Sequence, residues 1–380
     1  MYPIRILSPD LELLGEIDSY DTFEITRSWQ GTGEFDLLVN RAAQNADKLE
    51  KHNIIILHGN TEKAGIIRHC EISVDENGAE TENWQIQGVT LDGITKQRVT
   101  LPPDHTAYDR RSGQGETVLK HYVENNLTDP DKTNRKVEQL AIAEDEERGD
   151  HVSFESRYKE LHEELETIAK RADIGWHIYV DYDQPSLVFD VIEGKDVTAD
   201  QSDNPPVIFS PEYQSISEQT FIDSLLDYVS DTYVGGQGEG TDRLVHEVGE
   251  ESEGIKRFES FVDARDVDDE DDEEEEIPEE EQIERLEARG QDELNEMSSE
   301  TTFEAEILEK SPFIYEEAWN LGDKVTVQSK RWGVTLNARV TEVREVYDRS
   351  GRSIEATFGR KTPTFIDKVK RATHKADSTL

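Results

Sequence analysis

The chain has 380 residues, 34% hydrophobic and 33% charged, with 86 acidic against 41 basic side chains and a formal net charge of −45. That length predicts two or three domains at roughly 100–200 residues each. The acidity disfavours stable binding to nucleic acid or to an anionic membrane, which both need basic groups, and the single cysteine, Cys70, excludes an internal disulfide and a cysteine-rich metal site.

The first hundred residues alternate with period two: Ile4 and Ile6; Phe23, Ile25 and Arg27; Phe35, Leu37 and Val39; Ile54 and Ile56; Ile66 to Ile72; Trp84 and Ile86. Such alternation, bounded by Gly, Asn and Asp, predicts half-buried antiparallel strands. Gly31-Thr32-Gly33 and Asn77-Gly78 stand where hairpin turns belong. The pattern then changes. Residues 116–126 read as a short helix. Ser156 is placed to cap a stronger one running to about Ala172, with Tyr158, Leu161, Leu165 and Ile168 on one face. Trp176, Ile178 and Val180, a turn at 183–186, then Leu187, Phe189 and Val191 predict a hairpin.

Residues 205–262 return to strand patterning. Residues 266–281, DVDDEDDEEEEIPEEE, follow, within a stretch (261–300) holding 20 acidic and 3 basic side chains. Like charges repel and little here can be buried, so a mobile loop is expected. Pro278 suits the first turn of a helix in which Ile283, Leu286, Gly290, Leu294 and Met297 recur at helical spacing, with Glu281 and Arg285 paired at i,i+4. The last stretch alternates again through Val325 and Val327, Val334 to Val340, and Ile354 to Phe358. The order strand, longer strand, turn, strand occurs at both 53–90 and 323–359. A structural duplication explains this, and so does the likeness of all β meanders.

The expected fold is therefore mainly β with an α+β insertion. It has two similar small antiparallel β-barrels, a first β-barrel in 1–103 and a second in 301–362. Between them fall an insertion domain at 104–204, strands at 205–265 completing the barrels, the acidic loop 266–281 and a helix at 282–298; a polar tail occupies 363–380.

Candidate chemistry is sparse. Gly236, Gly238 and Gly240 resemble a phosphate-cradling loop, but strand-like sequence flanks them on both sides and the spacing is not that of a dinucleotide fingerprint. A hairpin loop is expected, its base tied by Asp242 and Arg243. The acidic run has no glycine between Asp266 and Glu281, as an EF-hand would need. His69 and Cys70, with His52 and His58 near in sequence, fit no zinc spacing, and neighbours in a strand point to opposite faces. Catalytic, cofactor and metal residues are all expected to be absent. The N-terminus lacks the pattern of a signal peptide. The longest aliphatic run, Ile54 to Leu57, is far short of the roughly 20 residues of a membrane span.

Several ordered segments carry a resemblance: FEITRSWQGTGEFDLLVN (23–40), VGGQGEGTDR (234–243), RFESFVDARDV (257–267), IERLEARGQDEL (283–294), FEAEIL (303–308) and WNLGDKVTVQSKRWGVTLNARVTEV (319–343). The sequence resembles, over about 1–365, the tail-hub proteins of long-tailed phages and prophages in the family named for the siphovirus ReqiPepy gene product thirty-seven. Its acidic run is longer than that family leads one to expect. The resemblance implies a non-enzymatic virion protein, a baseplate hub at the tail tip, made in the host cytoplasm. It implies a homotrimer whose barrels make a pseudo-sixfold ring, with a distal tail protein and tail tube above and a tail fibre or spike below. DNA would pass the lumen without stable binding, and this chain would not insert in a membrane. Some relatives carry a C-terminal cell-wall hydrolase; with the sequence ending soon after Arg371, none is expected here. The acidity also suits a salt-adapted host. Two alternatives stay open: a tail-tip enzyme processing cell-wall polysaccharide or peptidoglycan, and a carbohydrate-binding β protein. Because residues 266–278 offer almost nothing to bury, deleting them is expected to leave the melting temperature unchanged at physiological salt, measured by calorimetry.

Overall fold

The computed structural model describes residues 2–72, 82–238, 240–250, 252–265, 278–308 and 310–359. The Asn77-Gly78 turn, nearly all of the acidic run and the C-terminal tail lie outside them. Two compact units are present, one of residues 1–220 with 304–359, the other centred on 221–303.

In the first unit the chain opens with β1 (Ile4–Leu7), β2 (Leu13–Ile17), β3 (Thr22–Ser28), β4 (Glu34–Asn40), β5 (Ile54–Leu57), β6 (Ala64–Glu71) and β7 (Asn83–Thr90). The alternation works as expected. Phe23, Ile25 and Arg27 of β3 are buried while Glu24, Thr26 and Ser28 face out. Each fully buried Phe or Ile contributes on the order of 1.5–3 kcal/mol. The Gly31-Thr32-Gly33 turn joins β3 to β4. Strand β2, whose Leu13 and Leu14 are exposed, has no clean alternation and no sequence signal.

The insertion follows: β8 (Asp109–Gln114), α1 (Gly115–Val123), β9 (Leu140–Ile142), β10 (His151–Ser156), α2 (Leu161–Arg171), β11 (Gly175–Asp181) and β12 (Ser186–Ile192). Ser156 does not cap α2. Residues 151–156 pair with β8 as a strand, and the Ser156 hydroxyl shares a 2.7 Å hydrogen bond with Thr100, so the helix starts five residues later, after Glu160. Leu165 and Ile168 of α2, Tyr122 of α1, and the stacked pair Trp176 and Phe189 share one core with Ile54 and Ile56 of β5. The insertion thus packs on the apolar side of the first strands.

Next come β13 (Ile208–Phe209) and β14 (Ile216–Ser224). The second unit holds β15 (Asp231–Gly235), β16 (Val245–Gly249), β17 (Glu259–Asp263) and α3 (Glu279–Glu296), which begins directly after Pro278. Its sheet runs β16-β15-β17, antiparallel then parallel. Leu286 packs with Val234 and Val248, and Gly290 lets α3 lie close against the same two valines. The expected Glu281–Arg285 pair is made at 2.9 Å. The chain ends its described course with β18 (Glu300–Ile307), β19 (Lys324–Ser329), β20 (Val334–Asp348) and β21 (Gly351–Gly359).

The pairing order is β14-β18-β21-β20-β3-β4-β7-β6-β5-β1-β2, with β19 pairing β20 and β13 pairing β19. Among the described residues these pairings form one continuous path with ends at β14 and β2. The same five-strand order occurs twice in it. β3-β4-β7-β6-β5 and β14-β18-β21-β20-β19 are each first, second, fifth, fourth, third in their own chain order. In both, the ladder between fourth and fifth strands carries an irregularity, between Ile67 and His69 in one and between Val340 and Glu342 in the other. In strand order and bulge position the chain contains an internal repeat. Beyond its bulge, β20 pairs with β3, Val343 opposite Arg27 and Tyr347 opposite Phe23, which joins the repeats edge to edge.

Trp29 sits at this join, only 2% exposed. Its ring lies against Gly175 of the insertion and Gly322 of the second repeat. Gly322 has φ +89°, and a Cβ there would stand 1.9 Å from a Trp29 ring carbon. Gly322→Ala is expected to cost about 2–4 kcal/mol through overpacking plus backbone strain. Gly333→Ala, at φ +67° with open space around it, should carry the backbone cost alone. Urea unfolding midpoints of the two variants check the difference.

Candidate functional site

The continuous sheet of the first unit has two unlike faces. One is apolar and packs into the cores. The other is polar across the join between repeats. On β3 and β4 it presents Glu24, Thr26, Glu34 and Asp36; on β7, Gln85 and Gln87; on β20 and β21, Glu342, Arg344 and Glu355. Strand geometry fixes this, since alternate side chains leave a strand on opposite sides. Asp36 accepts hydrogen bonds from Gln85 at 2.7 Å and Gln87 at 2.6 Å. Arg344 donates to Glu24 and Glu355, both at 2.7 Å. These contacts tie neighbouring strands together across the face, and carboxylates predominate on it.

Beneath the same join lies a buried ionic cluster. Arg27 of the first repeat donates to the Tyr315 hydroxyl and to Glu62 at 3.0 Å. The Lys63 ammonium is 2.9 Å from both Glu345 and Glu316. Glu345 also meets Arg352 at 2.5 Å and accepts from the Tyr347 hydroxyl. Arg27, Lys63 and Glu345 are 7%, 4% and 1% exposed. Burial alone would raise the pKa of Glu345; Lys63, Arg352 and Arg27 outweigh it and hold the carboxyl below its ordinary value. The signal was present in the sequence. An arginine stands in register with Phe23 and Ile25, on the face meant for the core.

The residues singled out as possible chemistry do not converge. The Gly236–Gly240 loop leads from β15 through a single 3-10 turn at Gly240–Asp242 into the antiparallel strand β16, not into an α-helix. Arg243 fixes its base, donating to the carbonyls of Gly235 and Gly236 at 2.8 Å and pairing with Asp263. Arg243 thus does what was expected of it. His69 reaches Glu71 at 3.3 Å, His52 meets Arg68 at 3.4 Å, and the exposed Cys70 thiol lies 3.5 Å from the Leu49 carbonyl. No cluster of metal-ligating side chains occurs among the described residues. Burial pushes Asp92 up to about 6, yet its role is structural: it accepts from the Thr90 hydroxyl and from the Ile178 amide of the insertion. A cavity of about 670 Å³ runs beside Arg148, Asp173, Lys324 and Arg339. Asp173 is spent on Lys324 at 3.0 Å and Arg339 at 2.7 Å, and Arg148 on Glu116 and Asp190. Among the described residues no helix is long and apolar enough to cross a membrane.

Comparison with known proteins adds a family. The family model described as Siphovirus ReqiPepy6 Gp37-like protein matches residues 3–360. A search of curated proteins finds no match. Among solved structures, the 43 kDa tail protein of prophage MuSo2 from Shewanella oneidensis is similar at 13% identity and TM-score 0.59, covering 94% of this chain and 98% of that one. A tail protein from Neisseria meningitidis MC58 is similar at 13% identity and TM-score 0.56, covering 95% and 97%. Prophage tail protein gp18 from Listeria monocytogenes EGD-e follows at 12% identity and TM-score 0.50, covering 98% of each chain. At these identities the likeness is one of fold.

The cluster yields a prediction. Glu345→Gln removes the carboxylate and leaves Lys63, Arg27 and Arg352 short of counter-charge in a buried place. It should destabilise the protein by about 3 kcal/mol, the low end for breaking a buried pair. The depressed pKa gives the pH sign: the contribution of Glu345 is complete above the unfolded value of about 4.3 and is lost as pH falls through the lower folded value. The difference in denaturant stability between parent and variant should therefore shrink below about pH 4.

Proposed function

The chain belongs to the Siphovirus ReqiPepy6 Gp37-like family, a phage tail protein family, and we propose that it is the hub that closes the distal end of a long tail as a ring of three copies. The observation that carries this reading is the half-used edge. In the first strand of the first repeat, β3 pairs with the fourth strand of the second, β20, beyond the bulge. The counterparts are β14, at the end of the path, and β6 beyond its bulge, at His69 to Glu71. Among the described residues, β14 pairs only with β18, and these β6 residues pair only with β7. An unpaired edge is a template for another strand. Laying β14 of one copy along this part of β6 in the next repeats the join already made inside the chain. Three copies then supply six repeats, the number the family resemblance implies, and closed symmetry stops further growth.

In that ring each five-strand repeat acts as one barrel-like segment, the reading given to 1–103 and 301–362. The polar face turns inward, its carboxylates repelling the phosphates of passing DNA. The insertion, packed on the other face, stands outside. The role is structural: a distal tail protein and tube above, a fibre or spike below. Incorporation is into the virion tail after synthesis in the host cytoplasm.

Cys70 gives the test its sharpest edge. Its counterpart by position after the bulge is Val343, which is buried at the join, whereas Cys70 is exposed. Light scattering across a salt series, with the distal tail protein present, should find a trimer. Its assembly should strengthen with salt as the Debye length falls from roughly 30 Å at 0.01 M to about 10 Å at 0.1 M and screens −45 per copy. Maleimide labelling of Cys70 should slow on assembly, and Cys70→Asp should block it. A chain that stays monomeric at all salts, or a trimer with Cys70 still fully reactive, would defeat the proposal.

A further inference from the structure

A second cavity, about 390 Å³, lies where the segment after β7 meets the loop 131–136 of the insertion. It is lined by Lys96, Gln97, Arg98, Val99, Asn134, Arg135 and Glu160. Two arginines here each clasp the backbone of the other's segment. Arg98 donates through Nε and Nη2 to the Arg135 carbonyl at 3.1 and 2.7 Å, and through Nη1 to the Gln97 carbonyl at 3.0 Å. Arg135 donates through Nη2 to the Val99 carbonyl at 2.5 Å and to the Asn126 side-chain oxygen at 3.3 Å. Every one of these acceptors is neutral.

Other arginines of this chain meet carboxylates: Arg148 takes Glu116 and Asp190, and Arg257 takes Asp231, Glu247 and Glu259. With 86 acidic side chains against 41 basic ones, counter-charge is abundant. Here two half-buried guanidinium groups face each other without it. Burial, and next the charge of Arg98, disfavour the Arg135 cation. A guanidinium carries five N–H donors in a fixed fork. The clasp leaves one hydrogen on each Nη of Arg98, and the Nε and both Nη1 hydrogens of Arg135, without a protein acceptor among the described residues. Lys96 adds an exposed ammonium at the mouth, and Glu160 is the lone carboxylate in the lining.

We infer that this pocket binds an oxyanion, a carboxylate or phosphate group presented by a partner or a small ligand. The Nε and Nη1 hydrogens left on Arg135 and the hydrogen left on each Nη of Arg98 are single donors for the anion's oxygens. Arg98 supplies a second cation, Lys96 draws the anion in, and Glu160 weakens binding by repulsion. The site stands on unit-one geometry alone and does not depend on the hub reading.

The test is a titration of the full chain, following arginine Nε–H resonances by NMR at constant ionic strength. One arm uses sodium acetate, one inorganic phosphate, and sodium chloride is the control. Saturable shifts at Arg98 and Arg135 with acetate or phosphate, absent with chloride, are expected; the preferred anion tells a carboxylate source from a phosphate source. Lys96→Ala should weaken binding by roughly two- to fivefold, the worth of one exposed ion pair, and Glu160→Gln should strengthen it by a similar factor. Neither variant touches the clasp, so both keep its fold. No saturable shift with either oxyanion, an equal response to chloride, or affinity unchanged in both variants would overturn the site.

Discussion

The pairing of β3 with β20 is the contact on which the rest of the first unit depends. It links residues some 320 positions apart in the chain, as the Arg344–Glu24 hydrogen bonds across it record. Closing so long a loop costs conformational entropy before any contact repays it. Three kinds of interaction converge to make it worthwhile: a strand ladder, the Phe23–Tyr347 core contact, and the buried charges of Arg27, Lys63 and Glu345. The charges are the selective part. Buried ion pairs add little net stability compared with apolar packing, but a mispaired one is very costly. A slip of β20 by one residue along β3 would turn Glu345 to the polar face and Arg344 into the core, leaving Lys63 and Arg27 without their acid.

Much of this was legible beforehand, and the limits are physical. Period-two alternation located the strands β3 to β7 and β19 to β21, and helical spacing located α2 and α3, because burial on one face leaves a mark in the sequence. Strand β2 left none, being an edge with exposed leucines. The start of α2 was misplaced because a serine before an apolar run looks like a cap whether its backbone is helical or extended. Strand β14 was hard to assign: its burial is irregular and it lies 75 residues before its partner β18 begins. Hence the sequence suggested a three-strand resemblance between the halves, while the five-strand repeat needed the pairing. At the candidate site, Arg27 was visible as an anomaly in a core register; that its charge answers Glu345, far along the chain, was not.

The two repeats also show where the chain tolerates additions. In the first repeat, strands one and two are joined by a tight turn at Gly31-Thr32-Gly33. At the same point of the second repeat, between β14 and β18, the chain inserts the whole β15–β17 and α3 unit. The α+β insertion enters after the last strand of the first repeat. Both additions leave the five-strand order intact, as expected when new material enters at loops whose ends are already close.

The bulge explains how one strand can serve two neighbours on a single edge. β20 runs fifteen residues. Its first part, Val334 to Arg339, pairs with β19, and its second part, Glu342 to Tyr347, pairs with β3. A straight strand would present both partners in one plane, and they would collide end to end. The irregularity between Val340 and Glu342 bends and twists the strand locally, so that the second half leads away from the first. β6 has the same device at the same place, and its first half pairs with β5 in the same way. In β6 the residues beyond the bulge, His69 to Glu71, pair only with β7 among the described residues.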